Sequence, residues 1–357
     1  MSTRMFSRFL GGCIVLLQVS SARQQAADTL SYPPLGKLVQ VDGHLMQIVC
    51  TGEGSPTVVL EAGAGAFSFD WSLVQPEVAK FARVCSYDRA GQAWSELGPQ
   101  PRTNKQCAYE LHTLLRNAGI PGPYVLVGHS AGGYRVRIFQ SLYPEEVVGM
   151  VLAECGHENS MFFINGKLVR LRELAQDRPI PDVRTSMPDS DRTIRPDVLK
   201  LIQQQMRAMG DPTIDPPYDK LPPAIQKIRL WALSQPEHIL ADYNPYESEE
   251  LNALYMTHHK TEFPLGDLPL IVLHRELGNF KPIPGMMTLD QTKKMDEERV
   301  SNNRDLAKLS RNSQHIIAKN STHDIHLDRP ELVIEAIRRI VESVRHHRSV
   351  SGPEVLK

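Results

Sequence analysis

The stretch that most constrains this chain is Tyr124-Val125-Leu126-Val127-Gly128-His129-Ser130-Ala131-Gly132-Gly133-Tyr134. A short apolar run stops at a serine bracketed by glycines, and apolar residues at helical spacing (Val136, Phe139, Leu142) follow at once. That is G-x-S-x-G between a strand and a helix, the setting in which the motif presents a nucleophile. A serine hydroxyl is a weak nucleophile at neutral pH and needs an adjacent base. It must also stand clear of the backbone, and a sharp strand-to-helix turn lifts it out. Such a turn is tightly packed, so the positions two before and two after the serine must be small; here they are Gly128 and Gly132. The helix that begins there aims free N–H groups and its positive dipole end at the reacting centre. The plain alternative is a glycine-rich turn; the flanking strand and helix favour a nucleophile.

Around this stretch, strands and helices alternate. Residues 37–41 and 45–50 flank Asp42-Gly43 and predict a β-hairpin. Thr57-Val58-Val59-Leu60-Glu61 is a continuous β-branched run, as in a strand buried on both faces. The small residues Ala62-Gly63-Ala64-Gly65-Ala66 follow and allow a close backbone approach. A helix is expected over 71–81, a strand over 83–87, and a helix over 103–118 with Thr103 as N-cap and Gly119 just past its end. Residues 147–153 form a further apolar strand ending at Glu154. This alternation predicts a mostly parallel sheet with helices on both faces.

The alternation stops over 155–266, where four helical patterns (168–176, 196–209, 221–234 and 247–259) are punctuated by prolines and no strand is expected. That segment reads as an inserted helical cap. Strands resume at 269–274 and 315–318, with a helix over 289–309 and a last helix from Pro330 to about residue 346. The expected organisation is therefore a core of 36–154 and 267–347, a cap of 155–266, and a tail of 348–357.

The N-terminus has a different character. Arg4 and Arg8 precede an apolar run over 9–19, and Ser20-Ser21-Ala22 offers small residues for cleavage. Residues 1–22 read as a secretory signal, with a polar and Pro-rich linker over 23–35. Export follows, to a periplasm or the exterior; lipidation at Cys13 and an uncleaved anchor are the alternatives. Cleavage would leave Cys50, Cys85, Cys107 and Cys155, which form either two disulfides or buried free thiols. The formal net charge is −1 and there is no basic run, which argues against a nucleic-acid partner.

Ser130 needs a histidine, and the chain has 13. His258-His259 and His346-His347 lie on polar helical stretches and read as solvated, while His129 should point away from the serine. The remaining candidates are in Ser321-Thr322-His323-Asp324-Ile325-His326-Leu327, between the last strand and the last helix. In a parallel sheet that loop opens on the carboxyl edge, as the Ser130 loop does. His323 lies nearer the strand end and is preferred; His326 would cap or pack. A metal site is not expected: neither Cys155, His157 and Glu158 nor His323 with His326 meets zinc spacing.

Taken together, Leu60-Glu61-Ala62-Gly63-Ala64-Gly65, Tyr87-Asp88-Arg89-Ala90-Gly91, Val127-Gly128-His129-Ser130-Ala131-Gly132-Gly133 and Thr322-His323-Asp324-Ile325-His326-Leu327 give the chain a family likeness. It resembles the α/β-hydrolase fold superfamily, over roughly residues 36–160 and 266–345. The resemblance implies an eight-stranded, mostly parallel sheet and a Ser–acid–His triad in chain order. It implies oxyanion donors from the backbone of Ala64 and Ala131. The common Gly-His of the final motif falls on Thr322-His323, which supports His323. In the stretch matching the superfamily's Asp-x-Arg-Gly-x-Gly, Ala90 and Ala93 depart from the pattern, Ala93 standing in place of a glycine.

The acid stays open at this level. The usual aspartate after the seventh strand has no match, since Gly278 stands there, with Glu276 nearby. A second arrangement, resembling that of haloalkane dehalogenases, takes the acid after the sixth strand, where Glu154 stands. A carboxylate ending a buried strand needs a partner, and Glu154 is preferred over Glu276; pairing with an arginine is the structural alternative. The expected activity is a cofactor-free serine hydrolase acting on small carboxylic esters. Amide, thioester or lactone hydrolysis, perhydrolase or lyase chemistry, and a non-catalytic binding role are the alternatives.

Overall fold

The computed structural model describes residues 32–184, 194–278 and 287–350. The expected signal at 1–22, most of the linker and residues 351–357 of the tail lie outside the described residues.

Eight strands form one sheet: β1 (Lys37–Val41), β2 (His44–Thr51), β3 (Thr57–Glu61), β4 (Val84–Tyr87), β5 (Tyr124–His129), β6 (Val147–Ala153), β9 (Leu270–Arg275) and β10 (Ser313–Ala318). Their order is β1-β2-β4-β3-β5-β6-β9-β10, and every pair from β4 to β10 is parallel; only β2 runs against its neighbours. The first hairpin closes on Asp42 and Gly43, both at positive φ, as a tight turn with the native strand twist requires. Cys50 and Cys85 face each other across β2 and β4 and are disulfide-bonded; Cys107 and Cys155 are free and buried, so the outcome lies between the two expectations.

The central strands are buried on both faces because helices cover both. Val59, Leu126, Met150 and Leu152 pack on one side with Leu111 and Leu114 of α2 (Asn104–Asn117), Phe139 of α3 (Gly132–Leu142) and Leu306 of α8 (Leu289–Ala307). Val58, Leu60, Val127 and Val151 point the other way, onto Val78 of α1 (Gln75–Val78) and Ile337 and Ile340 of α9 (Pro330–His346). The Thr103 hydroxyl caps α2 by accepting from Gln106 N at 3.0 Å, and Gly119 follows the helix at φ 69°. The helix expected over 71–81 is only the four residues of α1, preceded by a 3₁₀ turn at Ser68–Trp71.

Between β6 and β9 lies the insertion, with helices α4 (Pro196–Met209), α5 (Pro223–Leu233), α6 (Glu237–Leu240) and α7 (Glu247–His258) near the expected places. It is not wholly helical. Strands β7 (Met161–Ile164) and β8 (Lys167–Arg170) form a second hairpin, followed by a 3₁₀ turn at Leu171–Leu174 rather than a helix over 168–176. Its turn is Asn165-Gly166, both at positive φ, the dipeptide best suited to a two-residue hairpin.

The fold juxtaposes two loops. The chain passes from β3 to β4 on one side and then to β5 on the other, so the loops leaving β3 and β5 diverge from neighbouring strand ends. Crevices of this kind are where α/β sheets bind ligands.

Candidate active site

Ser130 sits between β5 and α3 at φ 53°, a left-handed conformation that non-glycine residues adopt only when their surroundings enforce it. Its carbonyl accepts from Gly133 N and Gly156 N, each at 3.0 Å. The flanking glycines are required by space. A Cβ on Gly128 would lie 3.0 Å from backbone atoms of Gly132, and one on Gly132 would lie 2.6 Å from Glu61 O and 2.9 Å from Ala62 O.

Residues 62–66 leave β3 and run against this turn. A Cβ on Gly63 would come within 3.0 Å of Ser130 Cβ and 3.2 Å of His129 Nδ1. The buried Arg89 guanidinium holds the loop by its carbonyls, donating to Ala62 O at 2.8 Å and Gly63 O at 2.7 Å, while pairing with Glu61 at 2.9 Å. Among the described residues, neither Ala64 N–H nor Ala131 N–H has an acceptor. Ala93, the alanine in place of a glycine, takes φ 45°, and Gly91 takes φ 89°.

His323 lies on the loop after β10. By area the residue is exposed. Desolvation, with His129, Arg275 and Arg299 nearby, holds its pKa well below the usual imidazole value. Among the described residues, no hydrogen bond joins His323 to Ser130 or to Glu154. His129 turns toward this loop: its Nε2 lies 3.0 Å from His323 O and its ring centroid 4.9 Å from that of His323. A carbonyl can only accept, so Nε2 carries the proton. His326 is buried and packs on Trp71 at 4.8 Å and His129 at 4.4 Å, and burial lowers its pKa as well.

Glu154 follows β6 at φ 47°. Its carboxylate accepts from Arg275 N at 2.7 Å and Arg275 Nη1 at 2.6 Å, and lies 2.7 Å from Arg299 Nη1. Burial pushes its pKa up, against the pull of Arg299 and Arg275. Asp296 meets the same two guanidiniums at 3.3 and 2.8 Å, giving a cluster of two acids and two arginines. Glu276 accepts from Asn320 N at 3.3 Å.

Cys155, His157 and Glu158 are not brought together. Cys155 Sγ points at Gly128 O, His157 pairs with Asp305, and Glu158 pairs with Arg137 and His258. His258 is therefore buried in an ionic network rather than solvated, whereas His259 is exposed. The described residues do gather donor atoms of His129, Asp324 and His326 within 4.8 Å of one another. Of these, His129 Nε2 lies 3.8 Å from Asp324 Oδ1, and its proton is directed at His323 O.

A family model for the alpha/beta hydrolase family matches residues 58–336. The chain belongs to the α/β-hydrolase family. Similar proteins include a Hormonema carpetanum protein named probable transporter efuK, 35% identical over 109 residues, which are 29% of this chain and 16% of that one. An AB hydrolase superfamily protein of Gibberella zeae is 25% identical over 309 residues, 81% of this chain and 87% of the relative. The chain thus spans a small fraction of the first relative's length and most of the second's. Among solved structures, a thermophilic esterase from Thermogutta terrifontis superposes with a TM-score of 0.55 at 19% identity, covering 86% of this chain and 98% of that one. The eight-stranded, mostly parallel sheet of this α/β hydrolase is the one the family likeness implied, and Ser130 follows the fifth of its strands in chain order.

One residue at the site had no sequence signal. Asp242, from the insertion, reaches the loop after β3 and accepts from Gly65 N at 2.8 Å.

Proposed function

We propose that this chain is a serine hydrolase that cleaves carboxylic esters through an acyl-enzyme on Ser130. Ser130 Oγ attacks the acyl carbonyl while His323 takes its proton. The developing oxyanion accepts from the N–H groups of Ala64 and Ala131. His323 then gives the proton to the departing alcohol, and water activated by the same imidazole releases the acid. The observation that carries this reading is the packing of Gly63 on Ser130, which brings a loop with an acceptor-free N–H beside a strained serine.

A lowered His323 pKa keeps that imidazole neutral and able to accept at neutral pH. The Ser130–His323 hydrogen bond is assigned to the substrate complex, where such contacts tighten. Glu154 acts by charge in this reading. It neutralises Arg275 and Arg299, the guanidiniums that oppose an imidazolium at His323. The insertion acts as a cap, tied to the carboxyl edge by Arg229–Asp70, Lys220–Asp328 and Tyr218–Asp324 contacts. Esters are favoured because their leaving groups need the least protonation, and an esterase among the structural neighbours supports the choice. The Cys50–Cys85 disulfide supports export.

The test is active-site labelling. A fluorophosphonate probe is expected to modify the wild-type chain at Ser130, and p-nitrophenyl esters to be turned over. Ser130→Ala is expected to lose both. Labelling that survives in Ser130→Ala sinks the assignment.

A further inference from the structure

Asp242 lies just beyond α6 and more than a hundred residues from every core group it touches. Its Oδ2 accepts from Gly65 N at 2.8 Å, from Arg89 Nη2 at 3.2 Å and from Gln92 Nε2 at 3.2 Å; its Oδ1 accepts from Arg135 Nη2 at 2.6 Å. Arg89 and Arg135 also face Glu61, at 2.9 and 3.6 Å. The core therefore supplies two buried guanidiniums and one carboxylate to this cluster, and the insertion supplies the second carboxylate. A buried charge that loses its partner is costly, so the arginines bind the insertion as firmly as the insertion binds them.

The residues around Asp242 dock with it. The His238 ring lies 3.8 Å from where a Cβ on Gly65 would stand, and stacks on Phe67 at 4.9 Å between centroids. Ala241 Cβ and Glu237 O close on Gly91, and Tyr243 O accepts from Arg102 N at 3.2 Å. One short segment, 237–243, thus grips both the loop after β3 and the loop after β4.

We infer that Asp242 is a positioning residue, and that segment 237–243 is a latch by which the insertion sets the oxyanion loop. Ala64 stands between Gly63, whose carbonyl Arg89 holds, and Gly65, whose N–H Asp242 holds. Both restraints run through Asp242, the first because it shares the charge of Arg89. When the insertion is docked, Ala64 N–H is aimed; when it lifts, the loop loses an anchor and Arg89 loses a counter-charge. Enclosing the substrate and completing the oxyanion hole are then one event. This inference rests on the serine-hydrolase reading above.

The experiment uses the full chain with Asp242→Asn, and Asp211→Asn on an exposed part of the insertion as control. Amide hydrogen exchange is followed by mass spectrometry over residues 62–67 and over 124–129, with kcat and KM on a p-nitrophenyl ester. Asp242→Asn is expected to speed exchange over 62–67 while leaving 124–129 unchanged. It is expected to lower kcat at least about tenfold, toward the 10²–10³ that loss of an oxyanion donor costs, with KM little changed. Wild-type exchange and kcat in Asp242→Asn overturn the latch. So does faster exchange spread equally over both segments, which marks a merely structural role. Should Asp242→Asn not fold, Asp242→Glu, which keeps the charge but displaces the oxygens, is read the same way. A wild-type chain that no probe labels at Ser130 refutes the serine-hydrolase reading, while the exchange arm still judges the latch.

Discussion

Gly132→Ala tests the geometry of the serine turn with a single methyl group. The added Cβ would stand 2.6 Å from Glu61 O and 2.9 Å from Ala62 O, well inside the 3.4 Å at which ordinary contact begins. Neither obstacle is a flexible side-chain end. Glu61 O belongs to the last residue of β3, which is in register with Gly128 of β5, and Ala62 O is also held by Arg89. Something rigid must therefore give. Forcing a methyl group into such a place costs about 1–3 kcal/mol, and in a domain of this size each kcal/mol lowers Tm by about 2–4 °C. The displaced atoms lead directly to Ala64, so the damage should not stop at stability. If the loop moves enough to misalign one oxyanion donor, kcat should fall toward the 10²–10³ range. The assay is a thermal melt beside ester turnover, with fluorophosphonate labelling to count competent sites. A Gly132→Ala chain that melts and turns over like wild type would show that the turn is looser than its contacts imply.

Three further outcomes are expected. Glu154→Gln should lower kcat/KM by about tenfold or more, as loss of a charge that sets the His323 base, and Glu276→Gln should have little effect; the reverse order would make Glu276 the acid. Removing the Glu154 charge leaves Arg275 and Arg299 with Asp296 as a counter-charge and a net positive charge beside His323, so the His323 pKa should fall and the acid limb of kcat/KM should move to lower pH. Reducing the Cys50–Cys85 bond, whose ends are 35 residues apart, should remove about 4 kcal/mol on a chain-entropy account; a melt that dithiothreitol leaves unchanged would mean the bond contributes nothing.

The parts of the fold easiest to read were the strands that bury both faces. Residues 58–60, 124–128 and 147–153 carry unbroken apolar runs because helices cover both sides of the sheet. The serine turn was equally legible, since its glycines are dictated by atoms at 3.0 Å or less. The β7–β8 hairpin was missed although Asn165-Gly166 announced it. Short apolar runs have no period that separates strand from helix, and the helical spacing over 168–176 won. His258 read as solvated because α7 is polar; its partner Glu158 lies 100 residues away. Asp242 was hidden for the same reason: its charge is explained only by Arg89 and Arg135, which folding brings to it from 153 and 107 residues away. Long-range charge pairing leaves no local mark on a sequence, whereas burial leaves a pattern.

The ladder between β3 and β5 carries Glu61 opposite Gly128. The serine turn and the loop facing it therefore hang from two adjacent rungs of the same backbone scaffold, and no residue of 155–266 belongs to either strand. Evolution could lengthen, shorten or exchange the insertion to meet a different substrate without retuning those rungs. It would have to keep the groups by which the insertion meets the core, among them the Gly156 N–H on the Ser130 carbonyl and the Asp242 carboxylate on Gly65 N. The turn and its facing loop are thus held by the sheet itself, and the insertion adds its own contacts to them.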